Sequence, residues 1–152
     1  MKRIILLAFL CTTTLVMAQR INHVQEAIAN YDYEAALTLI AKEKPTIPLL
    51  LQKGKAQRGL GMNTEALSTY QEIITNDTAN TRAYIEAAEC CRSLAKYQQA
   101  LKYYEQALDL NPENKYVRIQ YIGLLLSLQK FQDALGAVSY THLRAHETLA
   151  NL

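Results

Sequence analysis

Apolar residues return along this chain at steps of three and four, and the stripes they make come in pairs. Over residues 81–94, Tyr84, Ala87, Ala88, Cys91 and Leu94 fall on one side of a helix. Over 97–110, Tyr97, Ala100, Leu101, Tyr104, Ala107 and Leu108 do the same, with polar residues on the opposite faces. A short turn at Ala95-Lys96 separates the two stripes. Asn111-Pro112 stops the second, because proline disfavours helical geometry in the residue before it and has no N–H to donate. The pattern predicts a hairpin of two amphipathic helices.

That hairpin recurs. Ala66-Leu67, Ala100-Leu101 and Ala134-Leu135 are spaced by 34 residues, as are Leu60, Leu94 and Leu128. Tyr70 likewise matches Tyr104, and residues 61–66, 95–100 and 129–134 line up as turns entering a helix. A fixed period of this length marks an array of units, none of which can bury its apolar face alone. The units are 47–80, 81–114 and a partial one at 115–137. Gly54, Ala66, Ala88 and Ala100 are expected to let helix backbones approach, while tyrosines and leucines fill the space around them. Residues 20–44, "RINHVQEAIANYDYEAALTLIAKEK", read as a divergent hairpin with Tyr33, Ala36, Leu37 and Ile40 on its second helix. Ala36 precedes Ala66 by 30, so 19–46 form an N-terminal cap with a shortened join at Pro45–Pro48.

These residues resemble the tetratricopeptide repeat, most closely in "AKYQQALKYYEQALDLNPE" (95–113). The likeness covers 47–80 and 81–114 in full and the first two-thirds of the third unit. Departures are Leu50 in place of a large aromatic, Thr78 in place of proline, and Ala88 where glycine is common. The resemblance implies an all-α solenoid of helical hairpins, a right-handed superhelix truncated in its last repeat. It also implies a concave groove, lined by the first helix of each unit, that receives a peptide or protein segment. Carried over residue by residue, the groove stripe is Leu51, Lys55 and Arg58, then Arg82, Ile85, Glu89 and Arg92, then Tyr116, Ile119 and Gly123. Lys55, Arg58, Arg82 and Arg92 suit an acidic or carboxylate-terminated partner, partly offset by Glu86 and Glu89.

Composition changes the picture mainly at the ends. "MKRIILLAFLCTTTLVMAQR" has a basic start, an apolar run and a small-residue cut site between Ala18 and Gln19, the plan of a secretory signal. The run is shorter than the ~20 residues a membrane span needs. Residues 19–137 hold 13 of the chain's 16 basic residues and 13 of its 14 acidic ones, so their net charge is zero. Nothing global therefore points to nucleic acid. Cys90 and Cys91 are adjacent, and helix neighbours diverge by about 100°, so they cannot bridge. Cys91 is expected inside and Cys90 on the helix flank.

Catalytic machinery is not legible. His23 is the only histidine in 19–137, and Ser68, Ser93 and Ser127 lack a nucleophile elbow. Glu86, Glu89 and Asp109 are scattered helix charges, and no nucleophile, base and orienting partner assemble. The expectation is a non-enzyme with no cofactor.

The tail departs from the pattern in mid-helix. "VSYTHLRAHET" carries no apolar stripe and resembles the translation of a transposase-based sequencing adapter, so residues 138–152 read as adapter-derived. The His142/His146 pair beside Glu147 is then an accident of DNA design, and no metal site is expected. Val117, Tyr121, Ile122, Leu125 and Leu128 should lose part of their cover. The reading is an exported, non-enzymatic interaction scaffold in the periplasm or cell envelope of a bacterium. The alternatives are a docking or sensory arm of a larger enzyme or signalling protein, and an outer-membrane assembly factor.

Overall fold

A computed structural model describes residues 21–139, and among them every regular element is an α-helix. α1 covers 21–29, α2 Tyr33–Ile40, α3 Ile47–Gly59 and α4 Asn63–Asn76. α5 covers Thr81–Ser93, α6 Tyr97–Leu110, α7 Lys115–Ser127 and α8 131–139. First helices thus begin at 47, 81 and 115 and second helices at 63, 97 and 131, keeping the 34-residue period. The fold is the expected all-α helical repeat. The expected leader, residues 1–18, and the His142/His146 pair lie outside the described residues.

The period extends to the backbone. Gly61, Ala95 and Gln129, each 34 apart, take left-handed φ values of 75°, 57° and 59°, and Tyr31 takes 62°. Each sits where a first helix ends. The next residue's N–H reaches back five positions, as in Met62 N to Gln57 O at 2.9 Å and Lys96 N to Cys91 O at 2.8 Å. Lys130 N to Leu125 O, at 2.9 Å, is the third of the set. This closes the helix by satisfying carbonyls that would otherwise have no partner. Only Gly61 adopts the conformation without Cβ strain. Helix starts repeat as well. Asn80 Oδ1 accepts from Ala83 N and Asn114 Oδ1 from Val117 N, both at 3.1 Å. Asp32 caps α2 in the same way.

The chain divides into two compact units at Ile73/Ile74. In the first, Val24 and Ile28 of α1, Ala36 and Ile40 of α2, and Leu49 and Ala56 of α3 make one core. Two tyrosine rings lie on glycines of α3. A Cβ on Gly54 would stand 2.4 Å from Cζ of Tyr70, and one on Gly59 would stand 2.4 Å from the Tyr33 ring. Gln57 and Thr69 are buried polar residues that satisfy each other, Thr69 Oγ1 donating to Gln57 Oε1 at 2.8 Å.

In the second unit α5 packs on α6 and α6 on α7. Ala87, Ala88, Ala100, Tyr104, Ala107 and Val117 are wholly enclosed. Two expectations need correction. Cys90 is as buried as Cys91, because α5 is covered over an arc that takes in both neighbours. Burial pushes the Cys91 thiol up, partly opposed by the charge of Lys96, and so favours its protonated form. Val117 and Leu125 keep their cover, at 0% and 1% exposed, while Tyr121, Ile122 and Leu128 are only half-buried. Phe131 and Leu135 open α8 on schedule yet are each 62% exposed, whereas Leu101, the counterpart of Leu135, is 4% exposed. α7 packs over α6, and no helix among the described residues follows α8.

Two substitutions test this packing by urea denaturation. Gly54→Ala should cost about 1–3 kcal/mol, because the enclosed Tyr70 ring must move. Gln129→Gly should raise stability by up to ~1 kcal/mol, by relieving the left-handed residue at the head of α8.

Candidate partner-binding face

α5 and α7 place the predicted stripe of the second unit around one carboxylate. Glu89 lies mid-helix on α5 with its side chain 17% exposed. Its Oε1 accepts from Tyr104 Oη at 2.6 Å and from Tyr116 Oη at 3.3 Å. Arg92, one turn further along α5, stands 3.5 Å from Glu89 Oε2. It donates to Tyr104 Oη at 3.4 Å and to Gln120 Oε1 of α7 at 2.6 Å. Five side chains therefore tie three helices together. The Glu89–Arg92 contact alone is half-exposed and worth at most ~1 kcal/mol. The sheltered Tyr104–Glu89 bond is charge-assisted and contributes about 1.5–3 kcal/mol.

Electrostatics follow from that arrangement. The hydrogen bond with Tyr104 holds the Arg92 guanidinium above its ordinary value, so the residue is a permanent cation. Burial, then the bond to Glu89, pushes the Tyr104 phenol well up. Burial and the Glu89 charge raise Tyr116. On the far side of α7, Tyr121 is raised by burial and by its 2.7 Å bond to Glu105.

The rest of the stripe is more open. Arg82 is exposed, Ile85 is half-buried, and Tyr116 and Ile119 are 54% and 66% exposed. A Cβ on Gly123 would meet nothing within 4 Å. In the first unit Leu51 and Arg58 are half-buried and Lys55 is exposed, and Arg58 has partners of its own. The structure joins Glu89, Arg92 and Tyr116 directly, and it adds Tyr104 and Gln120, which the stripe did not include. Gln120 had no sequence signal. Tyr104 reads as core, which it is, and only its hydroxyl reaches the face. Position by position, 51, 85 and 119 are Leu, Ile and Ile, whereas 55, 89 and 123 are Lys, Glu and Gly. The aliphatic place is kept while the charge beside it changes. Among the described residues no group of His, Cys, Asp and Glu could hold a metal ion.

The raised phenols have a testable consequence. Unfolded tyrosines lose their protons near pH 10, before the folded ones do, so stability should hold below about pH 10 and fall above it. Tyr104→Phe should cost about 1.5–3 kcal/mol at neutral pH and make the alkaline fall shallower. Urea titrations on either side of that pH read both effects, and an unchanged alkaline slope would remove the link to Tyr104.

Comparison with known proteins gives a consistent family. Two family models described as tetratricopeptide repeat match residues 51–115 and 93–139. The human tetratricopeptide repeat protein 6 is 30% identical over 89 residues, covering 59% of this chain and 16% of that protein. The chain thus spans about a sixth of the length of this curated relative. Among solved structures, the first repeat domain of Spaghetti (RPAP3) bound to the HSP90 peptide SRMEEVD aligns with a TM-score of 0.69. It is 20% identical, covering 74% of this chain and 92% of that one. A tetratricopeptide repeat protein from Parabacteroides merdae aligns with a TM-score of 0.71 at 24% identity, covering 79% and 50%. At those identities the structural likeness speaks for the fold.

Proposed function

Since the chain belongs to the tetratricopeptide repeat family, whose fold is that of a protein–protein interaction scaffold, we propose that it is a non-enzymatic scaffold holding a peptide segment on the α5–α7 face. The observation that carries this reading is the combination found there. Tyr116 and Ile119 present large apolar surface to solvent beside a polar network that is already internally bonded. Exposed aromatic and aliphatic side chains next to rigid polar groups are what a recognition surface requires, since apolar area supplies the energy and fixed polar groups the register. Nothing in the arrangement positions a nucleophile against a base.

The segment is acidic or ends in a free carboxylate. Arg82 is exposed at the start of α5, and Arg92 stays charged although Glu89 takes part of its field. The solved structure of a fold relative bound to the HSP90 peptide SRMEEVD supports this reading. The bacterial envelope is the setting this reading assigns, supported by the basic start, apolar run and small-residue cut site of residues 1–18, which would make Gln19 the mature N-terminus.

Anisotropy of a labelled SRMEEVD peptide with the whole chain tests the site. Ile119→Asp alters an exposed side chain and should leave folding intact while weakening binding about tenfold or more, ~1.4 kcal/mol. Arg82→Ala should weaken it less and flatten its salt dependence. Binding indifferent to both changes, or no binding at all, would sink the acidic-segment reading. Mass spectrometry of periplasmic protein should find Gln19 first, and an intact Met1 there would contradict export.

A further inference from the structure

The first unit contains a cleft that the peptide reading leaves unused. It lies between α2, the turn at 41–46 and α3, and its volume is about 350 Å³. Leu37, Ile40, Leu49 and Leu50 form its apolar wall, and Lys44 and Lys53 stand on its rim with Glu43.

Its origin is legible in the repeat. Ala36, Ala66 and Ala100 hold equivalent places, but α2 stops four residues after Ala36 while α4 and α6 run ten residues past Ala66 and Ala100. Where the other second helices continue with Ile73 and Ala107, both wholly buried, the chain here turns through Glu43-Lys44-Pro45. The missing turns of helix would have covered this part of α3. The turn stands in their place beside the cleft, whose wall shows solvent mainly the half-buried Leu37 and the edges of Ile40 and Leu50, 8% and 7% exposed.

We propose that this cleft binds an aliphatic monocarboxylate, with the hydrocarbon against Leu37, Ile40, Leu49 and Leu50 and the carboxylate at Lys44 and Lys53. The volume falls in the range of small-molecule sites, ~300–1,000 Å³. The four wall residues are aliphatic, so they favour an alkyl chain over a planar ring. Two ammonium groups against one carboxylate leave the rim with one positive charge in excess, which matches a single anionic head and disfavours a cationic one. The proposal does not rest on the peptide face, because none of these residues belongs to the stripe.

Calorimetric titration of the whole chain with hexanoate, octanoate and decanoate tests it, with decanol and decyltrimethylammonium as head-group controls. Decanoate should saturate one site, and affinity should rise by up to about fourfold for each CH₂ that still fits. Ala41→Trp, at an exposed residue of the cleft, should block the site without changing the melting temperature. Lys44→Gln with Lys53→Gln should weaken decanoate about tenfold and leave decanol unchanged. Absence of saturable decanoate binding would overturn the proposal, as would equal binding of all three head groups or binding that survives Ala41→Trp. If Ala41→Trp fails to fold, the lysine pair decides alone. SRMEEVD binding should not change in either variant, which separates this site from the peptide face.

Discussion

A tyrosine ring laid on a residue with little or no side chain is the contact on which this repeat depends. A helical hairpin has no interior of its own, so its two helices hold together only if their backbones approach closely enough for side chains to interlock. In the first repeat the approach is so close that α3 leaves no room for even a methyl group beneath Tyr70. The second repeat sets Ala88 and Tyr104 at the same two places, both wholly enclosed. The pair Gly59 and Tyr33 uses the same device between α3 and α2. The hydroxyl end of such a ring can then do something else. Tyr104 fills the core with its ring and, with its Oη, anchors Glu89 on the face. Stacking and the proposed recognition face therefore share one side chain.

Much of this was legible in the sequence because the period is strict. Spacing of Ala-Leu pairs fixed where helices begin, and the paired stripes fixed which helices pack. What the pattern could not give was the extent of burial. Cys90 falls off a narrow stripe yet is enclosed, and Leu135 falls on the stripe yet is open. Burial is set by what lies across from a helix, and a stripe reports only one helix's own face. The left-handed residues were hidden for a similar reason. Glycine at 61 signals the turn, but Ala95 and Gln129 adopt it because the closing hydrogen bonds demand it.

The candidate face was half legible. Charged residues of the stripe could be named but not paired, since Gln120 reaches Arg92 across 28 residues of chain. That pairing changes the chemistry of the face. A basic strip becomes a largely satisfied network flanked by apolar side chains, with Arg82 as the more accessible cation of the second unit. Where the period fails, at the short α2, the structure gains an opening instead of a face. Repetition builds the scaffold, and departures from it supply the individual features.

A double-mutant cycle between Gly54→Ala and Tyr70→Leu examines the close approach most directly. If the ring is what excludes a Cβ at Gly54, trimming it should remove most of the penalty of the added methyl, giving a coupling of about 1 kcal/mol or more. Losses that simply add would mean that ring and glycine do not act as a pair, and the account of how this repeat is held together would fail.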